Sequence, residues 1–320
     1  MSEMRSMIRV ENLKKHFPIK GKGLLYAVDD ISFSIREGET LGLVGESGCG
    51  KSTVGNLLMG LLPATDGHIY FGDIDLVELS HKDRRAYCDK LQIVFQDPYS
   101  SLNPKKTVYQ TLSDSYRIKK LSNQQILEKI RSISQLTGIE EDLWNKYPHE
   151  LDGGKRQVVG IARALALNPS FIVCDEPVSA LDVSIQAKII NLLIDLQKKL
   201  DLTYLFISHD LSVVRHISRR VAVMYLGKIV EIAPTDMIFD NPQHPYTTAL
   251  LSAVLNIDVD MNKEHIILEG DVPTPINPKP GCRFAPRCRY AQKECYENVP
   301  QLIECEPDHF VACHLRKGNL

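Results

Sequence analysis

The stretch that most constrains this chain is "GESGCGKST", Gly45 to Thr53. It fits G-x-x-x-x-G-K-[ST], follows the apolar run "TLGLVG" (40–45) and opens the helical run "KSTVGNLLMGLL" (51–62). A strand, a Gly-rich turn and a helix in that order make an anion cradle, because the glycines let backbone N–H groups curl around phosphates at the positive end of the helix. Gly45, Ser47, Gly48, Cys49 and Gly50 form the turn. Lys51 brings a point charge to the β and γ phosphates, and Ser52, followed by Thr53, places a hydroxyl for Mg²⁺. A chance Gly-rich turn would lack the strand before it and the helix after it.

The stretch "SFIVCDEP" (170–177) supplies the matching acids. Asp175, at the carboxyl end of an apolar strand, suits the Mg²⁺ shell, and Glu176 beside it is placed to polarise an attacking water. Two acids ending a strand are common; together with the phosphate loop they point to phosphoryl chemistry.

Elsewhere strands alternate with helices. Strands are predicted at 7–11, 24–36, 91–95 and 203–209, with a hairpin over 219–233 turning at Gly227. An amphipathic helix is predicted at 184–200, and the region from about 105 to 150 is helical. This alternation predicts a mainly parallel sheet covered on both faces. After about 235 the texture shifts: prolines at 273, 275, 278, 280 and 286 predict a loop-built appendage rather than more sheet. With 320 residues, 43% of them hydrophobic, the chain has ample material for a core. A formal charge of −2 gives no reason to expect nucleic-acid binding. There is no run of about 18 apolar residues, and the opening "MSEMRSMIRVENLKKHF" has no apolar signal-peptide core, so a cytosolic chain is expected.

These motifs, in this order, resemble an ATP-binding subunit of an ABC transporter. Gln96 in "VFQDP" looks like that family's Q-loop glutamine, which reaches Mg²⁺ and the water. "LDGGKRQ" (151–157) sits where the signature Leu-Ser-Gly-Gly-Gln belongs, and its Asp152, Gly153 and Gly154 would meet the γ-phosphate held by a partner's loop. "SALD" (179–182) resembles the D-loop, and His209 in "ISHD" the switch histidine. Phe17 in "LKKHF" matches the aromatic that stacks on adenine, although such a Phe also serves as core packing. The segments "IVFQDPYSSLNP", "VMYLGKIVE", "HPYTTALLSAV" and "LEGDVPTPINPKPGCRFAPRCRYA" narrow the resemblance to the F-type ATPase subunit of dipeptide and oligopeptide importers. Nickel importers share much of the pattern.

The signature departs from the family at three places: Asp152 replaces Ser, Lys155 replaces Gln, and Val158 stands where Arg is usual. An ionised carboxylate has no donor to offer a phosphate. A like-charge pair at 4 Å costs about 4 kcal/mol at an effective dielectric near 20, before Mg²⁺ and Lys155 offset it. Two milder readings stand beside this one: Lys155 neutralises Asp152, or Asp152 acts as an N-cap as Ser would. The expectation is asymmetry, with an intact phosphate loop here working against an intact signature on a different ATPase subunit.

Cys282, Cys288, Cys295 and Cys313 follow C-x5-C-x6-C-x17-C. In a reducing compartment such crowding points to metal before disulfide, and the spacing is wider than the paired C-x2-C of a zinc ribbon. Four thiolates suit a [4Fe–4S] cluster, and the resembling importer subunits carry such a cysteine set; Zn²⁺ and no metal remain alternatives. Cys305 lies outside the set, and His309 and His314 are spare candidate ligands.

The resemblance therefore implies an α/β chain: a P-loop NTPase (RecA-like) core with an antiparallel β subdomain, a helical subdomain at about 97–155, and a cysteine-rich C-terminal extension at 236–320 following an ATPase domain at 1–235. It implies ATP and Mg²⁺, hydrolysis that powers peptide import, and peripheral attachment to the cytoplasmic face of the cell membrane. The implied partners are a second, different ATPase subunit, two transmembrane permease subunits and, indirectly, an extracytoplasmic substrate-binding protein. The competing readings are a nickel or metal-chelate importer, a soluble ABC ATPase of DNA repair or translation, and a redox subunit with a decayed ATPase.

Overall fold

The computed structural model describes residues 6–252 and 273–316. Residues 268–272 ("LEGDV"), and the Ala253 and Val254 that close "HPYTTALLSAV", lie outside them. The described chain forms two compact units. One contains Arg36–Glu39 and Leu79–Phe206; the other contains the phosphate loop and the C-terminal segment.

In the phosphate-loop unit, β1 (Ser6–Ile19), β2 (Gly23–Arg36), β4 (Asp66–Phe71) and β5 (Ile74–Asp75) form a four-stranded sheet in the order β2-β1-β4-β5. The β1–β4 and β4–β5 pairings are antiparallel. Ile8, Val10 and Leu13 from β1, and Val28, Ile31, Phe33 and Ile35 from β2, point into the core. β1 runs well past the predicted 7–11, because "KKHF" puts half-exposed polar residues on a strand whose alternation then fades.

The second sheet of this unit centres on β3 (Thr40–Val44), buried along its whole length, which pairs in parallel with β9 (Arg220–Tyr225). β9 turns into the antiparallel β10 (Lys228–Pro234) through Leu226 and Gly227, both at positive φ, 43° and 82°. Two positive-φ central residues match the right-handed twist of a tight hairpin. β12 (His309–Val311) then pairs with β10, and β11 (Ile303–Glu306) with β12. The tail therefore adds two strands, contrary to the expectation of an appendage with no sheet. They cover the edge of β10, whose unpaired backbone groups would otherwise face solvent. The Pro-rich segment before them is tied down too: the Pro275 carbonyl accepts from the Tyr26 N–H, and Leu24 and Asn277 exchange hydrogen bonds.

Helices α1 (Lys51–Leu58), α8 (Leu211–Ile217), α9 (Thr235–Asp240), α10 (Pro245–Ser252) and α11 (Lys293–Glu297) complete this unit. α1 stops four residues before the predicted Leu62. Gly60 turns left-handed at φ 68°, the N–H groups of Leu61 and Leu62 bond back to the Asn56 carbonyl, and Pro63 prevents continuation.

The other unit carries β6 (Leu91–Val94), β7 (Phe171–Asp175) and β8 (Thr203–Ile207) in the order β8-β7-β6, with β6 and β7 parallel. Around them lie α2 (His81–Arg84), α3 (Pro98–Ser101), α4 (Val108–Ile118), α5 (Asn123–Thr137), α6 (Gly153–Leu165) and α7 (Val183–Leu200). The region predicted as helical from 105 to 150 is two helices, each with a capping box, Thr107 with Gln110 and Ser122 with Gln125. Leu112, Ile126, Ile130 and Trp144 bury the face between them. Among the described residues no helix is long and apolar enough to cross a membrane.

Candidate nucleotide site

The phosphate loop takes its shape from glycines that nothing larger could replace. A Cβ on Gly45, at φ +150°, would lie 2.1 Å from the Met224 carbonyl oxygen; one on Gly50, at φ +111°, would lie 2.2 Å from that of Ala27. The backbones of β9 and β2 thus press on the loop from both sides. Gly50 is the N-cap of α1, leaving the first N–H groups of that helix to the loop. Lys51 is buried, its Nζ 2.8 Å from the Gly45 carbonyl and 3.1 Å from that of Glu46, so its charge is held inside the turn. Cys49 is also buried, and burial pushes its thiol pKa up, which keeps it a neutral filler. Ser47 and Gly48 reach the surface.

His209 belongs to the same unit. The Ser208 N–H bonds to the Leu43 carbonyl, which holds the segment before His209 beside the end of β3 that enters the phosphate loop. Asp210 then caps α8, accepting from Ser212 and Val213, and His209 is exposed at that corner. Phe17, also in this unit, is half-buried in β1 with the Lys15 ammonium 5.0 Å from its ring centroid; it is not sealed in the core.

The other unit brings the predicted acids together with the predicted glutamine. β6 and β7 are in parallel register, with Val94 opposite Cys174. Two residues past that pair, just beyond the ends of both strands, Gln96 Nε2 donates to Glu176 Oε2 at 2.8 Å. Asp175 is buried at the strand end, and Glu176 sits at φ +45°, a left-handed conformation that turns the chain sharply. Ser179 returns its N–H and its Oγ to the Glu176 carbonyl. Gln186 Nε2 pins the following turn through the carbonyls of Val178 and Leu181, both at 3.0 Å.

In the same unit Asp152 is the N-cap of α6. Its Oδ1 accepts from the Lys155 N–H at 2.8 Å, and Lys155 Nζ lies 3.5 Å from Oδ2. Both milder readings of this substitution are therefore realised within the chain: the carboxylate caps the helix and pairs with the lysine. Gly153 and Gly154 fit against the segment that opens α7; a Cβ on Gly154 would lie 2.7 Å from Ile185 Cγ2.

The four tail cysteines converge. Cys282, Cys288, Cys295 and Cys313 all line one small cavity, alongside Phe284 and His314. Burial pushes the Cys282 thiol up to about 11 and raises those of Cys288 and Cys313. No three of these sulfurs come within 4.8 Å of one another. Cys305 is outside the cavity lining, and His309 is engaged elsewhere, its Nε2 2.7 Å from Glu231 Oε1.

One loop residue was not singled out by the motif. Glu46 donates its N–H to the Tyr246 hydroxyl at 2.9 Å, and its carboxylate accepts two bonds from Arg287, at 2.9 and 3.3 Å. Nothing local signals this, because Arg287 lies 241 residues away in sequence.

Comparison with known proteins gives two family matches. The ABC transporter family profile matches residues 28–179, and the profile of the oligopeptide/dipeptide transporter C-terminal region matches residues 230–295. The chain is 50% identical over 316 residues to the putative oligopeptide transport ATP-binding protein YkfD of Bacillus subtilis, covering 98% of this chain and 96% of that one. It is 47% identical over 324 residues to the oligopeptide transport ATP-binding protein AppF of the same organism, covering 98% of each. Among solved structures it resembles the ATP-binding cassette MJ0796 in a dimeric post-hydrolysis state bound to ADP and Pi, with 29% identity, a TM-score of 0.66, and 72% of this chain and 99% of that one covered. It also resembles cbiO1 of Clostridium perfringens, part of the cbiONQ ABC transporter complex, with 28% identity, a TM-score of 0.68, and 80% and 96% coverage.

Proposed function

The chain belongs to the family of ABC transporter ATP-binding proteins, and on that premise we propose that it hydrolyses ATP to power peptide import through membrane permease subunits. The observation that carries this reading is the half-identical, near full-length match to a relative named for oligopeptide transport, joined to the C-terminal region profile of that transporter class. The chain then works peripherally at the cytoplasmic face of the membrane, with peptide delivered to the permeases by an extracytoplasmic binding protein.

The roles follow from the chemistry of each group. The backbone N–H groups of 45–51 and the Lys51 ammonium bind the β and γ phosphates, and Lys51 exchanges the Gly45 and Glu46 carbonyls for them. Phe17 offers a ring face to adenine. Ser52, Gln96 and Asp175 are hard oxygen donors that would hold Mg²⁺, which would supply charge neutralisation at the phosphate oxygens. Glu176 takes up the proton of the attacking water, and the Gln96 amide fixes the rotamer from which it does so. His209 contacts the γ-phosphate as a donor. Little covalent work is needed, since positioning and charge stabilisation dominate phosphoryl transfer.

Asp152, Gly153 and Gly154 serve the nucleotide of a second, different ATPase subunit. The cap supported by Lys155 keeps α6 intact, yet the carboxylate presents no donor to a phosphate. The complex is thus asymmetric, with one site hydrolysing at full rate and one degenerate.

The four thiols on one cavity supply the ligand number of the iron–sulfur cluster that the tail resemblance implies. Cys282, Cys288, Cys295 and Cys313 would hold it, and it would staple a loop-rich segment with little core of its own.

The test is peptide uptake and ATP hydrolysis by the reconstituted transporter, wild type beside Lys51→Ala and Asp152→Ser. Loss of both activities in Lys51→Ala is expected, and a gain in maximal ATP turnover in Asp152→Ser. A complex with two equal hydrolysing sites would remove the asymmetry; ATP turnover that peptide never stimulates, with no uptake, would remove peptide import.

A further inference from the structure

The segment Cys282–Cys288, "CRFAPRC", carries two of the four cavity thiols at its ends. The residues between them do not point at the cavity alone; three of them reach toward the phosphate loop. Arg287 makes a two-pronged ion pair with Glu46, with its side chain 8% exposed and that of Glu46 23%. Its Nη1 is also 3.4 Å from the Tyr225 hydroxyl. Phe284 packs edge-on against Tyr225, with centroids 5.3 Å apart, and lies 5.5 Å from Tyr246, the tyrosine whose hydroxyl accepts the Glu46 N–H. Arg283 donates to the Leu226 carbonyl and pairs with Asp29 at 2.5 Å.

The last contact matters because Leu226 and Gly227 form the β9–β10 turn. Gly227 donates its N–H to the Cys49 carbonyl at 2.8 Å, and its own carbonyl accepts from Asp29. Glu46 and Cys49 are thus two points at which the loop is held from outside: one by Arg287 and Tyr246, the other by a turn that Arg283 secures. All of these residues belong to one compact unit. A bidentate, largely buried Arg–carboxylate pair fixes geometry as well as contributing energy.

We propose that the Cys282–Cys288 segment is a brace for the phosphate loop, with Arg287 as a positioning residue for nucleotide binding, so that the state of the thiol cavity sets how well the loop is preorganised. The proposal rests on the reading of this loop as the ATP site. Coupling of this kind is reciprocal: whatever orders the thiol-bracketed segment tightens nucleotide binding, and nucleotide in turn protects the segment.

The experiment measures the Kd of Mg-ADP by calorimetry and amide hydrogen exchange of residues 45–52 on the full-length chain purified anaerobically. Wild type is compared with Arg287→Met, Arg287→Lys, Glu46→Gln, the Arg287→Met/Glu46→Gln pair and Cys282→Ser. Arg287→Met is expected to weaken binding about tenfold and to speed exchange in the loop, the effect of losing a charge-assisted pair. Arg287→Lys recovers part of it. The double variant loses no more than the worse single variant, because both break the same contact. Cys282→Ser speeds loop exchange in the same direction. Glu46→Gln keeps the side-chain shape, so it reports on the contact even where Arg287→Met folds poorly. Binding and exchange within twofold of wild type in both Arg287→Met and Glu46→Gln overturn the brace. Unchanged loop exchange in Cys282→Ser, with Arg287→Met altered, overturns the link to the thiol cavity. A wild-type chain that binds no Mg-ADP would instead sink the ATP-site reading itself.

Discussion

Gln96 Nε2 lies 2.8 Å from Glu176 Oε2, and the pair stands two residues beyond the point where Val94 and Cys174 sit opposite one another in parallel strands. The parallel register brings the two chains out side by side, and the contact forms just past the strand ends. The Gln96 amide orients the Glu176 side chain. Glu176→Gln is expected to lower kcat for ATP hydrolysis by about 10² to 10⁴, with the Kd for Mg-ATP nearly unchanged. Single-turnover hydrolysis beside equilibrium nucleotide binding checks this; equal losses in both would assign Glu176 to binding.

Asp152 caps α6 through the Lys155 N–H, and its pairing with the Lys155 ammonium is solvent-exposed on both sides. Asp152→Ala is expected to cost about 1 kcal/mol, the usual loss of a capping oxygen. Asp152→Ser should cost almost nothing, since Ser caps equally well. Lys155→Met should stay within about 0.5 kcal/mol, as exposed ion pairs contribute little. Urea unfolding of the three variants ranks them, and a Lys155→Met loss as large as that of Asp152→Ala would show the ion pair to be the stronger of the two contacts.

Much of the nucleotide site was legible because its parts are local. The Gly-rich turn, its flanking strand and helix, and the acids ending "SFIVCD" each report their geometry within ten residues or fewer, and Asp152 followed by Lys155 reads as a cap for the same reason. The Gln96–Glu176 contact is not local, and only the family resemblance joined those two residues in the sequence. The Arg287–Glu46 pair was invisible: it exists because the tail returns over the β9–β10 turn, and no periodicity encodes that return. The tail strands were missed because Ile303–Glu306 and His309–Val311 are too short to show alternation. Their strand character comes from pairing with β10.

Asp75 pairs with Tyr70 on the antiparallel β4–β5 ladder, and His68, two residues before Tyr70, reaches across so that its Nδ1 is 2.5 Å from Asp75 Oδ2. The hydrogen bond to Asp75 raises the His68 pKa above its ordinary value. A raised folded pKa means that protonated His68 favours the folded state. Its contribution is fully present below the ordinary histidine value and is lost as pH rises through the raised midpoint. NMR titration of the imidazole should give a midpoint above 6.5 in the wild type. Asp75→Asn should bring it down, and an unmoved midpoint would exclude Asp75 as the cause.

His309 and Glu231 are fully buried and joined at 2.7 Å. The Glu231 carboxylate also accepts the N–H groups of Gln243, at 2.7 Å, and His244, at 3.0 Å. It thus ties β10 to the segment leading into α10 and, through His309, to β12. Removing one partner of such a pair leaves a buried carboxylate short of a donor, at a cost of about 3 kcal/mol or more. His309→Leu is therefore expected to lower the unfolding midpoint strongly and to speed amide exchange at Phe310 and Val311, which pair with Ile232 and Glu231. His309→Gln keeps a donor near the same position and should lose less. Pairing His309→Leu with Glu231→Leu should recover part of the loss, since the stranded charge is then gone, although the Gln243 and His244 N–H groups are left without their acceptor. Urea unfolding followed by far-UV circular dichroism, with exchange read by mass spectrometry, measures all three beside the wild type. If His309→Leu unfolds at the wild-type midpoint, the pair does not hold the tail strands to the sheet.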